Sequence, residues 1–110
     1  MADYHYYFSN KYLIIALIPV KDESLDDFKF IVDNYKDKFD KVVLELNSYP
    51  VIDEDTIKFI NKIIYFFKMY DVTTFISGIL PETAYFLSNL EIKINAETYF
   101  NLDRIMNDNN

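Results

Sequence analysis

A chain of 110 residues is long enough for one core and too short for two, and with 51% apolar and 18% aromatic residues it fills that core without staples. The sequence has no cysteine, which excludes disulfides, thiolate metal sites and cysteine nucleophiles together and leaves the compartment open, a cytoplasmic home being permitted. A formal charge of −7 argues against nucleic acid as a partner, because phosphate binding needs clustered Lys and Arg; it suits a partner with a basic surface, or simply keeps an apolar domain soluble.

The opening residues, Met1 to His5, show no basic region followed by an apolar run, so no secretory signal is expected. The longest apolar stretch, Tyr12 to Val20, is about half of what a bilayer crossing needs. Tyr4 to Phe8 and Tyr12 to Ile18 are rich in aromatic and branched residues, with Ser9-Asn10 between them, and read as an opening β-hairpin. Ser24 with Asp27 resembles a capping box, and Leu25, Phe28, Ile31, Val32, Tyr35 and Phe39 follow at helical spacing, predicting a helix from Ser24 to Lys38.

Lys41 to Leu46 reads as a buried strand, after which Asp53 caps a long helix to about Tyr70. Val72 to Ser77 is the next strand and leads into Gly78, the one glycine of the chain. Pro81 suits a first helical position and starts a short helix to about Asn89. Glu91 to Ile94 reads as a short last strand, Ala96 to Met106 as a final helix, and residues 107–110 as a frayed tail. The expected fold is therefore a single α/β domain over residues 1–110, with a mixed sheet, an N-terminal hairpin, about four helices and the order ββαβαβαβα.

The segment that carries most information is Ser48-Tyr49-Pro50-Val51-Ile52-Asp53-Glu54-Asp55-Thr56. It lies beyond the carboxyl end of a strand, where ligands and partners of α/β folds collect. Helix chemistry explains part of it: Asp53 is a cap, and Glu54 and Asp55 oppose the positive end of the helix dipole. No metal is expected there, since adjacent residues at a helix start point in different directions and no second acidic cluster completes an octahedral site. A phosphoaspartate receiver would want acids after the first strand, where the chain reads Ile-Ala-Leu-Ile-Pro-Val.

His5, the single histidine, has no Ser or Asp beside it that would complete a triad and reads as an edge residue. One glycine at Gly78-Ile79-Leu80-Pro81 does not make a phosphate cradle. No cofactor and no catalytic residue is expected. The long helix has an apolar stripe of Ile57, Ile60, Ile64 and Phe67, widened by Phe59, Ile63, Phe66 and Tyr70, with Tyr65 and Met69 on its polar side. That width fits either a deep core or a surface for a second copy or a partner.

Over Val42 to Ile94 the chain resembles the STAS domain of anti-sigma-factor antagonists and stressosome scaffold proteins. The resemblance rests on Pro50-Val51-Ile52-Asp53, on Ile60 to Phe67, on Ser77-Gly78-Ile79-Leu80-Pro81-Glu82-Thr83-Ala84 and on Leu90-Glu91-Ile92. The first and third of these look closest to the stressosome branch.

The resemblance implies a turn in which an Asp, matched by Asp53, precedes a Ser or Thr that a partner switch kinase phosphorylates. Here the next residue is Glu54. Either that site is unregulated or Glu54 partly mimics the phosphorylated state; a displaced acceptor, Thr56 or Ser48, is the remaining option. Thr56 also reads as a first-turn residue bonded locally.

The resemblance thus implies a non-catalytic module that docks a switch kinase, an anti-sigma factor or sibling STAS proteins, homo-oligomers included. The docking surface would be Ser48, Tyr49, Pro50, Asp53, Glu54, Asp55 and Thr56, with Gly78, Leu80 and Pro81 as the adjoining rim. The alternative is a small-ligand or lipid-binding sensor whose aromatics line a pocket. A hydrolase using Asp53 or Glu54 lacks an evident oxyanion donor, base or metal.

Overall fold

β1 (His5–Ser9) and β2 (Tyr12–Ala16) pair antiparallel in a computed structural model that describes residues 4–19, 23–49, 51–90 and 92–108. The turn residues are Asn10 and Lys11, at φ 51° and 70°. A left-handed pair of this kind lets a two-residue turn follow the twist of its strands. The turn lies one residue later than Ser9-Asn10 because Ser9 still pairs with Tyr12. Lys11 is tied down on both sides: its Nζ donates to the Asp37 carbonyl at 3.0 Å, and its carbonyl accepts from the Asp40 amide at 2.9 Å.

The Ser24 hydroxyl accepts from the Asp26 amide at 3.0 Å, so α1 begins later than Ser24 and spans Asp26–Tyr35, with a 3-10 turn at Lys36–Lys38. Then come β3 (Lys41–Glu45), α2 (Glu54–Lys68), β4 (Thr73–Ser77), α3 (Pro81–Ser88), β5 (Glu97–Thr98) and α4 (Leu102–Asp108). The sheet order is β1-β2-β3-β4-β5, with β1 antiparallel and the others parallel. This is the expected ββαβαβαβα mixed sheet.

Central strands that are buried on both faces read as unbroken apolar runs, and Tyr12 to Ile15 and Val42 to Leu44 are buried throughout. Period-two alternation splits them between two layers. Leu13, Ile15, Leu17, Val42, Leu44, Leu46 and Ile76 face α1 and α2. Tyr12, Ile14, Val43 and Phe75 face the other way and meet Ile105 of α4. α2 supplies six buried side chains: Ile57, Phe59, Ile60, Ile63, Ile64 and Phe67. Phe67 packs edge-on against Phe28 at 6.0 Å and Phe39 at 6.4 Å between ring centroids, which locks α2 to α1. Asp71, at φ 61°, ends the helix without glycine, and the Val72 amide reaches back to the Phe67 carbonyl at 3.1 Å.

The C-terminal part corrects the sequence reading. Glu91 lies outside the described residues, and Ile92 to Ile94 is not a strand. Ile92 and Ile94 do alternate inward, half-buried against the main core. Their backbone is bonded by a side chain instead: Asn61 of α2 donates to the Lys93 carbonyl at 2.8 Å and accepts from the Asn95 amide at 2.9 Å. The last strand is the two-residue β5, which pairs Glu97 with Phe75 and Thr98 with Ile76. The final helix accordingly starts at Leu102 and not at Ala96, and runs on through Asn107 and Asp108, placed in the tail by sequence; 109–110 lie outside the described residues.

Candidate functional site

Two loops leave the sheet side by side at the carboxyl ends of β3 and β4. Pairing continues past the strands, the Leu46 amide donating to the Ser77 carbonyl at 3.0 Å. The first loop turns at Asn47 and Ser48, where the Tyr49 amide returns to the Leu46 carbonyl at 3.1 Å. The Tyr49 hydroxyl donates to the Ile18 carbonyl at 3.1 Å, and burial, with the Glu23 carboxylate nearby, raises its pKa. Pro50 lies outside the described residues. Ile52 is buried and anchors the loop, whereas Val51 is 71% exposed.

Asp53 caps α2 as its residue type and position require. Its Oδ1 accepts from both the amide and the hydroxyl of Thr56, each at 2.8 Å. Those two bonds hold its carboxyl below the ordinary aspartate range. Glu54 and Asp55 are exposed in the first turn, beside the positive end of the helix. The Thr56 hydroxyl is thus engaged, while Ser48 is exposed.

The second loop turns at Gly78, φ 86°. Its amide donates to the Phe100 carbonyl at 3.2 Å and that of Ile79 to the Tyr99 carbonyl at 3.3 Å, fastening the loop to the segment after β5. A Cβ at residue 78 would collide with Asn47 Oδ1 and stand 3.2 Å from the Asn47 amide nitrogen. Glycine is required there twice over: for its dihedral, and because the first loop lies directly against it.

The two loops and α3 enclose an open cleft of about 410 Å³. Tyr49, Val51 and Ile52 line one side; Gly78, Leu80 and Phe86 line the other. Leu80, Tyr85 and Phe86 are 48%, 76% and 52% exposed, and α3 has no fully buried side chain. The charged residue lining the cleft is Glu82, and Asp53, Glu54 and Asp55 follow directly on its Val51–Ile52 wall. The cleft lining is therefore mainly apolar with one carboxylate, and the acidic start of α2 follows next in the chain.

Of the residues singled out by sequence, Tyr49, Gly78 and Leu80 share the cleft, and Asp53 to Thr56 continue from its wall into α2. Ser48 stands exposed just before it, and Pro81 is exposed at the start of α3 without lining it. Val51 and Glu82 stood in the sequence reading only within the quoted segments, and Phe86 was not singled out at all. The signal for Phe86 was present: Tyr85-Phe86-Leu87 places apolar residues on every side of a short helix, more than one sheet face covers. His5 is exposed on the edge strand β1 and does not line the cleft. Among the described residues no group of three or more His, Cys, Asp or Glu is placed to hold a metal, and no helix is long and apolar enough to cross a membrane. Burial holds the Glu45 carboxyl above its ordinary range, and Tyr7 is raised by its own burial and by that carboxylate.

No protein-family model and no curated protein matches the sequence. Solved structures do match along nearly its whole length. An RsbS variant from Moorella thermoacetica superposes with a TM-score of 0.71 at 17% identity, over 97% of this chain and 94% of that one. A chain from the molecular architecture of the stressosome, a signal integration and transduction hub, gives 0.72 at 17% identity, over 94% of each chain. A candidate anti-sigma factor antagonist from Thermotoga maritima gives 0.69 at 15% identity, over 96% and 92%. The chain has the STAS fold. In this STAS sheet the β3–α2 turn and the β4–α3 turn are neighbours, and the contact of Asn47 with Gly78 joins them into one surface.

Proposed function

We propose that this STAS domain is a non-catalytic docking module of the partner-switching or stressosome type. It binds a switch kinase, an anti-sigma factor or sibling STAS proteins, in the cytoplasm, through the cleft between the Ser48–Thr56 turn and the start of α3. The observation that carries the reading is the cleft itself: Val51, Ile52, Leu80 and Phe86 line it together with Glu82, and its Val51–Ile52 wall runs on in the chain into the exposed acidic start of α2, Asp53 to Asp55. An apolar anchor flanked by Lys or Arg on the partner fits that chemistry, since apolar anchors supply most of an interface's energy and charges its steering.

Glu54 occupies the position where the STAS resemblance expects a phosphoacceptor. With the Thr56 hydroxyl bonded to Asp53, the reading favours a fixed charge over a displaced phosphosite. One of the matching folds, the RsbS variant, itself has glutamate substituted for a serine. Crosslinking in the source lysate, followed by mass spectrometry, tests the proposal. Recovery of a switch kinase, an anti-sigma factor or another STAS protein on residues 48–56 or 78–86 is the expected result. Recovery of none of them refutes it.

A further inference from the structure

The wide apolar surface of α2 divides in the structure. Phe59 and Ile63 belong to the core, whereas Tyr65 and Met69 are 67% and 70% exposed. Tyr65, Phe66 and Met69, together with Leu25 just before α1, floor a second groove of about 530 Å³. The charged side chains lining it are Lys58 and Lys62, both cationic in a chain of net charge −7. It shares no lining residue with the first cleft.

The outer face of α1 has the opposite make-up, with Lys29 its one exposed cation against Asp26 and Asp33. Asp26, Phe30 and Asp33 recur at spacings of four and three, which places them on one helical stripe. All three are exposed, Phe30 to 53%. An exposed phenyl ring between two carboxylates is the complement of an apolar floor beside two lysines.

We propose that the occupant of the α2 groove is α1 of a second copy of this chain, with Phe30 seated on Tyr65, Phe66 and Met69, and Asp26 and Asp33 facing Lys58 and Lys62. α1 and α2 pack against the same face of the sheet and against each other through Phe28 and Phe67. A two-fold axis therefore sets each α1 against the other copy's α2, so that two identical contacts close the pair. Charge selects this occupant. Two bodies of charge −7 repel at long range, and the opposed stripes supply the local attraction that lets them approach in this one orientation.

Sedimentation velocity over a concentration series, at low and high salt, tests the pairing. The wild type is expected to show a reversible monomer–dimer equilibrium that weakens as salt rises. Lys58→Glu/Lys62→Glu and Asp26→Lys/Asp33→Lys should each weaken dimerisation about ten-fold or more, because like charges are then opposed. Mixing the two double variants restores opposite charges at both contacts, and a mixed dimer should form. Phe30→Ala should weaken the pair with no change in charge. These side chains are exposed, and thermal unfolding confirms that each variant is folded. A wild type that stays monomeric throughout leaves the groove to some other occupant and overturns the proposal. So does association that neither reversal moves, or a mixture that pairs no better than its components.

Discussion

Gly78 couples the two loops of the cleft, and its role is separable into two parts. Gly78→Ala imposes a side chain on a φ of 86° and drives its Cβ into Asn47 Oδ1. We expect a loss of about 1–3 kcal/mol in urea unfolding. Asn47→Ala removes the colliding atom and should return part of that loss in the double variant, leaving the dihedral cost. Additive effects of the two substitutions would contradict the contact. Asp53 has a different signature. Its folded carboxyl is held below its ordinary value of 3.8, first by the Thr56 amide and then by the Thr56 hydroxyl. A lowered folded pKa contributes stability above the unfolded value, lost as pH falls through the folded one. Asp53→Ala should therefore lower the melting temperature at neutral pH, with the gap from wild type closing on acidification below the ordinary aspartate range. Asp53→Asn keeps a capping oxygen without the charge, and should lose the pH dependence more than the stability.

At the scale of elements, sequence was most readable where a strand or helix was both long and buried. The runs Tyr12 to Ile15 and Val42 to Leu44, and the stripe through Ile57, Ile60, Ile64 and Phe67, declare their layers because the sheet is covered on both faces. It was least readable after Leu90. The alternation Glu-Ile-Lys-Ile buries Ile92 and Ile94 as a strand would, but what makes a strand is a backbone partner, and here that partner is the Asn61 amide, some 30 residues earlier in the chain. No local pattern reports a side chain that distant. Asn61→Ala leaves the Lys93 carbonyl and Asn95 amide without this partner. It should cost about 1–3 kcal/mol and speed hydrogen exchange at Asn95 first; protection unchanged there would argue against the stitch. The cleft was half legible for a similar reason. Asp53 and the acids after it are set by helix-start chemistry, whereas Val51 and Phe86 become neighbours only through the β3–β4 pairing.

The molecule as a whole presents two unlike surfaces on one frame. The cleft at the carboxyl ends of β3 and β4 is mainly apolar with Glu82 in its lining, while the groove on α2 is apolar with Lys58 and Lys62, and the two share no lining residue, so the proposed partner docking and self-pairing need not compete. Under the proposed function, Glu54 sits where the STAS resemblance places a switchable hydroxyl, and a charge fixed there by the sequence would make the domain a constitutive member of its assembly. The direct measurement is calorimetric titration of the crosslinked switch kinase into wild type, Glu54→Lys and Glu54→Ser, followed by incubation with ATP. Wild type should bind and remain unphosphorylated, Glu54→Lys should bind at least about ten-fold more weakly, and Glu54→Ser should become phosphorylated at residue 54. Equal affinity for all three, with no phosphate on the serine variant, would contradict the assignment of this turn as the docking and switch position.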